Sequence, residues 1–288
     1  MKHSAIKDYY QLIKPGIVYG NAFTAAAGLL FASAGSFNIW HILTTLIFIC
    51  FVMAGACAVN NAMDIDIDSK MSRTKKRPTV TGRTTKNQAL VFGWSLSILG
   101  LLLLLITTNA LTFALGCIAL LTYAPIYTVL KKKNWIATWV GAVPGALPPV
   151  AGYTAITNQL DGTAVFIFMT MFVWQMAHFY GIALFRREEY KKAGVPIVSI
   201  IRGQDYTQKM ILAYVVSYLI LIPIFYLYGG VGIIFAVVMV VASFWWLKQG
   251  LNLYPKLKPE EWGLKMFLAS LKVLMIYSLA LALTGLLP

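Results

Sequence analysis

The sequence predicts an all-α protein that threads a membrane about nine times. Three observations point there. Hydrophobic residues make up 59% of the 288-residue chain and charged residues only 12%, whereas soluble domains are about half apolar and a quarter charged. The apolar residues gather into runs of about twenty, the length a helix needs to cross a bilayer. All the cations but Lys272, finally, fall in the N-terminal segment or in alternate connections between those runs.

The nine runs are 16–36, 39–58, 88–107, 109–130, 135–156, 163–184, 210–228, 230–247 and 266–286. Backbone polar groups in lipid must be satisfied internally, so only helices or closed barrels cross it. Runs this continuously apolar exclude barrel strands, whose residues alternate. With the N-terminus in the cytoplasm, the inner segments hold Lys2, Lys7 and Lys14, then seven cations between Lys70 and Lys86. Next come Lys131, Lys132 and Lys133, six cations from Arg186 to Lys209, and Lys248, Lys256, Lys258 and Lys265. The outer connections near 37, 108, 158 and 229 hold none, and only Lys272, inside the last run, is left over. This is the positive-inside rule at every loop, and it places the C-terminus outside. The net charge of +14 therefore reports topology, not a nucleic-acid partner.

Taken in order, the opening "MKHSAIKDYYQLIKPG" is polar and has no signal-peptide pattern. The first run starts within "KPGIVYGN". The second leads straight into "NNAMDIDIDSKMSRTKKRP" at 60–78. The fourth ends in "YTVLKKKNW", where Lys131 follows Tyr127 by one helical turn. The fifth contains "GAVPGALPPVAGY" (141–153); such breaks survive in membranes beside other helices or a cavity, so this run is expected to line one. The sixth ends in "WQMAHFYGIALFRREEYKKAGVP". His41 is placed at the outer interface, and Trp245 and Trp246 near a run's end read as interfacial anchors. Cys50, Cys57 and Cys117 lie inside runs without ligand spacing and read as small apolar filler. The chain forms one membrane domain, residues 1–288, with its long polar loops (59–87, 185–209, 248–265) in the cytoplasm, and loops on rigid scaffolds carry chemistry.

The chemistry concentrates at 60–78. Asn60, Asp64 and Asp68 recur every four residues, so they share one face if the second helix continues beyond the membrane; Asp66 points elsewhere. Carboxylates about 6 Å apart along an axis repel each other unless a cation lies between them. Hard oxygen ligands of this kind suit Mg²⁺, which takes one or two carboxylates plus substrate phosphates. Lys70, Arg73 and Arg77 follow, and arginine grips phosphate bidentately. Lys75, Lys76 and Lys86 read as ordinary topology signals. Carboxylates at a membrane boundary are functional by default. A metal, an anion clamp and an apolar cavity together suggest a lipid diphosphate as substrate.

This stretch resembles the N-x-x-x-D-x-x-x-D signature of the UbiA superfamily of intramembrane prenyltransferases. The longer pattern through Met71, Arg73, Thr74, Arg77 and Pro78 resembles the haem-type branch, the protohaem IX farnesyltransferases, as do the four blocks at 14–21, 127–135, 141–153 and 174–196. The resemblance implies transfer of a farnesyl group from farnesyl diphosphate to a vinyl group of haem B, with water adding to give the hydroxyethylfarnesyl chain of haem O. It implies Mg²⁺ on Asn60, Asp64 and Asp68, and diphosphate held by Lys70, Arg73, Arg77, Lys131 and Arg186. Many aromatic-substrate members carry a second aspartate pair after the sixth span. Here that loop reads "FRREEYKKAG", with no Asp, leaving Glu189 as the candidate second metal ligand or Arg186 as a direct diphosphate contact. His178, with Trp174 and Gln175, becomes a candidate haem contact; without the resemblance it reads equally as a hydrogen-bonded core histidine. Haem is substrate, not prosthetic group. The opening is too short and too rich in lysine and tyrosine for an organelle transit peptide, so a bacterial-type cell membrane is expected; the resemblance implies haem A synthase or terminal-oxidase assembly as neighbours.

Two other functions fit parts of the pattern. An aromatic or quinone prenyltransferase shares the fold but expects the missing aspartates. A transporter of anionic lipids or metabolites expects its charges at the bilayer midplane, whereas these cluster at one boundary.

Overall fold

The computed structural model describes residues 5–34, 37–254 and 256–286; Lys2 and His3 lie outside the described residues. Among these, nine long helices follow the nine apolar runs: α1 (Pro15–Ala32), α2 (Ile39–Met63), α3 (Lys86–Thr107), α4 (Ala110–Leu130), α5 (Ala137–Thr157), α6 (Gly162–Phe185), α7 (Gln204–Tyr228), α8 (Ile233–Leu253) and α9 (Pro259–Leu286). Eight are long and apolar enough to span a membrane. The other, α5, has 21 uncharged residues, and its prolines and glycines dilute its apolarity. Helices α2, α7, α8 and α9 extend several residues past their apolar runs. A run marks only the stretch facing hydrocarbon, whereas backbone hydrogen bonding continues into the polar boundary. Side chains such as Val241, Ile98 and Leu279 project outward from the helices, the expected surface for lipid.

Side-chain caps start several helices at one end of the bundle. Asn38 accepts from the His41 amide at 3.1 Å, Asn109 from Thr112 at 2.8 Å, and Asp161 from Ala164 at 3.0 Å. Each satisfies an amide that the first turn leaves orphaned. At the other end of the bundle Thr85 and Gln88 form a reciprocal capping box on α3.

Each helix packs on the next along the chain, and α9 returns to α1, closing a ring; α5 also packs on α1, and α6 on α9. The α1–α5 crossing depends on absent side chains. A Cβ on Gly28 would lie 2.0 Å from the Pro149 carbonyl oxygen, and one on Gly152 2.3 Å from that of Ala25. Small residues let membrane helices approach this closely. Part of the Gly/Pro segment therefore serves packing, while Gly141, Pro144 and Gly145 face a cavity.

Trp246 is fully buried and packs edge-on against Tyr218, so it belongs to the core and is no interfacial anchor. Helix α8 is packed on both sides, and its turn at 246 faces inward. Trp245 faces outward, beneath the Lys272 ammonium at 5.7 Å from its ring centre. His41 sits in the first turn of α2. The three cysteines are free.

Candidate active site

Two interruptions of regular helix shape the site. Helix α2 stops at Met63, and Asp64 leaves helical geometry before a four-residue turn, Ile65–Asp68. The Asp64 amide still bonds the Asn60 carbonyl at 3.0 Å, and the Asp68 amide bonds Asp64 at 2.8 Å. The fourfold spacing thus survives the kink, and Asn60, Asp64 and Asp68 are all buried. Asp66 is exposed and pairs with Lys132 at 2.6 Å. Burial pulls its carboxyl upward, but the Lys132 hydrogen bond and charge outweigh that and hold it below the usual carboxylate value. Lys132 also donates to the Met63 carbonyl at 2.8 Å, closing the end of α2.

The second interruption is a π turn at Thr122–Tyr127 in α4, with Pro125 inside it. Such single turns concentrate at functional sites. It leaves the Tyr123 carbonyl to accept from the Thr128 hydroxyl at 3.0 Å. That commits the only hydroxyl proton, so Thr128 Oγ1 must accept from the Asn60 amide nitrogen at 2.7 Å. The orientation of Asn60 follows: its oxygen is turned toward the Lys14 ammonium.

A pattern results. Each acceptor of the spaced triad meets one cation: Asn60 meets Lys14, Asp64 meets Lys131, and Asp68 meets Arg77. Lys14 was not singled out among the sequence candidates; it precedes Pro15 in a left-handed conformation, φ 51°. Burial first, then repulsion from Arg77, pulls its ammonium down to about 8. The second Asp64 oxygen, Oδ1, is buried with no hydrogen-bond partner. A carboxylate lone pair left this way is costly and fits a site that takes a further cation. The donors are all oxygens, which suits a hard ion such as Mg²⁺. Among the described residues no three His, Cys, Asp or Glu side chains gather as a metal cluster, so such an ion would draw other ligands from phosphate or water.

The triad opens on a cavity of about 530 Å³. Lys14, Arg73, Arg77 and Lys131 stand at the polar end with Tyr127 and Tyr190. Burial pushes the Tyr190 phenol up, which keeps it a hydrogen-bond donor. Apolar wall comes from α1, α2, α4, α5, α6 and α9. Trp174, Gln175 and His178 all line it from α6. His178 stacks on Trp174, with ring centres 4.9 Å apart.

Other sequence candidates lie off this wall. Lys70 is exposed. Arg186 and Glu189 pair with each other at 2.8 Å, and Ser72 reaches Glu189 at 3.4 Å. They join the two polar loops, whose apolar residues Ile67, Met71, Ala193 and Val195 pack together beside the cavity. The structure does not bring Glu189 together with Asp64 and Asp68.

Residues 21–271 match the UbiA prenyltransferase family. The protohaem IX farnesyltransferase of Bacillus pumilus (strain SAFR-032) is 39% identical over 286 residues, spanning 97% of this chain and 92% of its own. Protohaem IX farnesyltransferase 2 of Chromobacterium violaceum is 36% identical, spanning 98% and 94%. Among solved structures, digeranylgeranylglyceryl phosphate synthase superposes with a TM-score of 0.80 at 22% identity, covering 97% of this chain and 98% of the other. A UbiA homologue from Archaeoglobus fulgidus bound to GPP and Mg²⁺ gives 0.73 at 17% identity, covering 96% and 99%. With nine long helices, a buried N-x-x-x-D-x-x-x-D triad and a match over most of its length, the chain belongs to the UbiA prenyltransferase family.

Proposed function

We propose that this prenyltransferase moves a farnesyl group from farnesyl diphosphate to a vinyl group of haem B, water then adding to give haem O. One observation carries the reading. A single cavity joins a cluster of buried carboxylates and cations to an apolar, aromatic wall, as a reaction between an anionic lipid and a flat, largely apolar acceptor requires. The relatives at 39% and 36% identity carry the name of that activity.

In this reading Asn60, Asp64 and Asp68 hold Mg²⁺, which would stabilise charge on the departing diphosphate. Arg73, Arg77, Lys131 and Lys14 meet the phosphate oxygens; Lys70 and Arg186 lie on the polar loops, off the cavity wall, and would add positive charge at longer range. Lys14, Lys131 and Arg77 already sit on the triad, Lys131 on the Asp64 oxygen beside the free Oδ1, so a bound metal and substrate would draw these cations from carboxylate and amide toward phosphate. Positive groups aimed at the leaving group lower the barrier where charge develops. The apolar wall keeps water from the allylic cation until the vinyl carbon attacks, and Trp174, Gln175 and His178 face the porphyrin. Purified protein with haem B, farnesyl diphosphate and Mg²⁺ should yield farnesylated haem by mass spectrometry, and EDTA should stop it. Formation of no farnesylated haem by an active, metal-loaded preparation overturns the acceptor assignment.

The protein is an integral membrane protein. We place the site on the cytoplasmic side of the cell membrane, in one domain with its C-terminus outside, on the cation distribution. Haem A synthase or the terminal-oxidase assembly is the expected neighbour. With Cys50, Cys57 and Cys117 replaced, a cysteine at Gln159 should react with an impermeant thiol reagent in intact cells, and one at Lys75 only after permeabilisation. Both positions are exposed. Labelling at 75 in intact cells reverses the orientation.

A further inference from the structure

Farnesyl transfer alone leaves a cation on the porphyrin side chain, and the product needs one water molecule delivered to one carbon. The wall of α6 carries a pair of groups suited to that step. The Ser270 hydroxyl lies 2.6 Å from the Phe267 carbonyl and 2.7 Å from His178 Nδ1. A carbonyl only accepts, so it takes the single hydroxyl proton, and Ser270 must accept from the ring. The proton of the imidazole therefore sits on Nδ1, and Nε2 keeps its lone pair. Trp174 fixes the arrangement by stacking on His178 and donating to the Ser270 carbonyl at 2.8 Å.

Gln175 lies three residues earlier, on the same helix face. It is 8% exposed, lines the cavity, and its carbonyl oxygen has no hydrogen-bond partner. A buried amide in this condition calls for water or a ligand. Its two ends exchange places by turning the last torsion, so the acceptor can face the cavity. Gly145 leaves the room it occupies: a Cβ there would lie 1.9 Å from the Gln175 nitrogen.

We propose that Gln175 and His178 hold the water that adds to the farnesylated side chain, with His178 Nε2 as its proton acceptor and Ser270 as the residue positioning the ring. This rests on the farnesyl-transfer reading above. The C1–O bond of farnesyl diphosphate breaks and diphosphate leaves with the electron pair. The vinyl π pair then joins its terminal carbon to C1 and leaves positive charge on the carbon next to the ring. The water oxygen bonds that carbon, and its O–H bond releases the proton to Nε2. With the two acceptors taking its two hydrogens, the water would keep an oxygen lone pair free to attack.

The test is product partition. Wild type in ¹⁸O water should give hydroxylated product bearing one ¹⁸O. In Gln175→Leu the cation should instead lose a proton, giving a farnesylated haem lighter by one water, with the ratio of this product to the hydroxylated one rising at least tenfold. Gly145→Ala, which displaces the same amide without altering it, should shift the ratio the same way and serves if Gln175→Leu fails to fold. His178→Phe should shift it further, and Ser270→Thr should shift it less than Ser270→Ala. Product falling in parallel with farnesyl diphosphate consumption at an unchanged ratio overturns the water assignment. No farnesylated haem from wild type overturns the underlying reading instead.

Discussion

Asp64→Asn and Asp68→Asn should each lower farnesyl transfer by roughly a hundredfold to a thousandfold, the scale of losing a stabiliser of developing charge. Both side chains are buried, and Asp64 keeps one oxygen without a partner. An amide preserves the shape and removes the charge that a hard ion requires. The variants should still accumulate in the membrane, because asparagine can accept from Lys131 or Arg77 as aspartate does. EDTA should silence the wild type, and Mg²⁺ should restore it without restoring the variants. Near-normal turnover in either variant, measured at saturating Mg²⁺, removes that residue from the metal site.

Arg77→Met should destabilise the protein without metal more than the double change Arg77→Met with Asp68→Asn. The Asp68 carboxylate is 5% exposed, and Arg77 is its ion-pair partner. Breaking one side of a buried pair strands the other charge, at about 3–5 kcal/mol, whereas neutralising both is far less costly. Apparent melting temperatures in detergent with EDTA should order wild type above the double variant and the double variant above Arg77→Met. Equal values for the two variants would show that the stranded carboxylate finds water, and the pair would then have no role in holding the Ile65–Asp68 turn.

The nine helices were legible because lipid imposes length and apolarity directly on sequence. The triad was legible because a spacing of four survives even a kinked helix end. Lys14 was hidden for a different reason: it looks like any positive-inside lysine, and only the packing of α1 brings it to Asn60, 46 residues away. Thr128 was equally silent, since its role depends on a π turn that Pro125 alone does not announce. Trp246 misled because a tryptophan near the end of a run has the same local signature whether it faces headgroups or a neighbouring helix. Lys70 is exposed, and Arg186 and Glu189 pair with each other where the two polar loops meet through Ile67, Met71, Ala193 and Val195. Their charges alone did not reveal that apolar contact.

The pairing of Asn60, Asp64 and Asp68 with Lys14, Lys131 and Arg77 bears on the order in which reactants arrive. Three of the four cations at the polar end are already engaged by the pocket's own acceptors, which leaves Arg73 to meet a passing phosphate first. A diphosphate arriving alone must break those pairs and leave buried oxygens bare. A divalent ion arriving alone must crowd against three cations. Together each supplies what the other displaces. On the proposed reading the pocket would act as a coincidence detector, favouring the metal–diphosphate complex over free diphosphate.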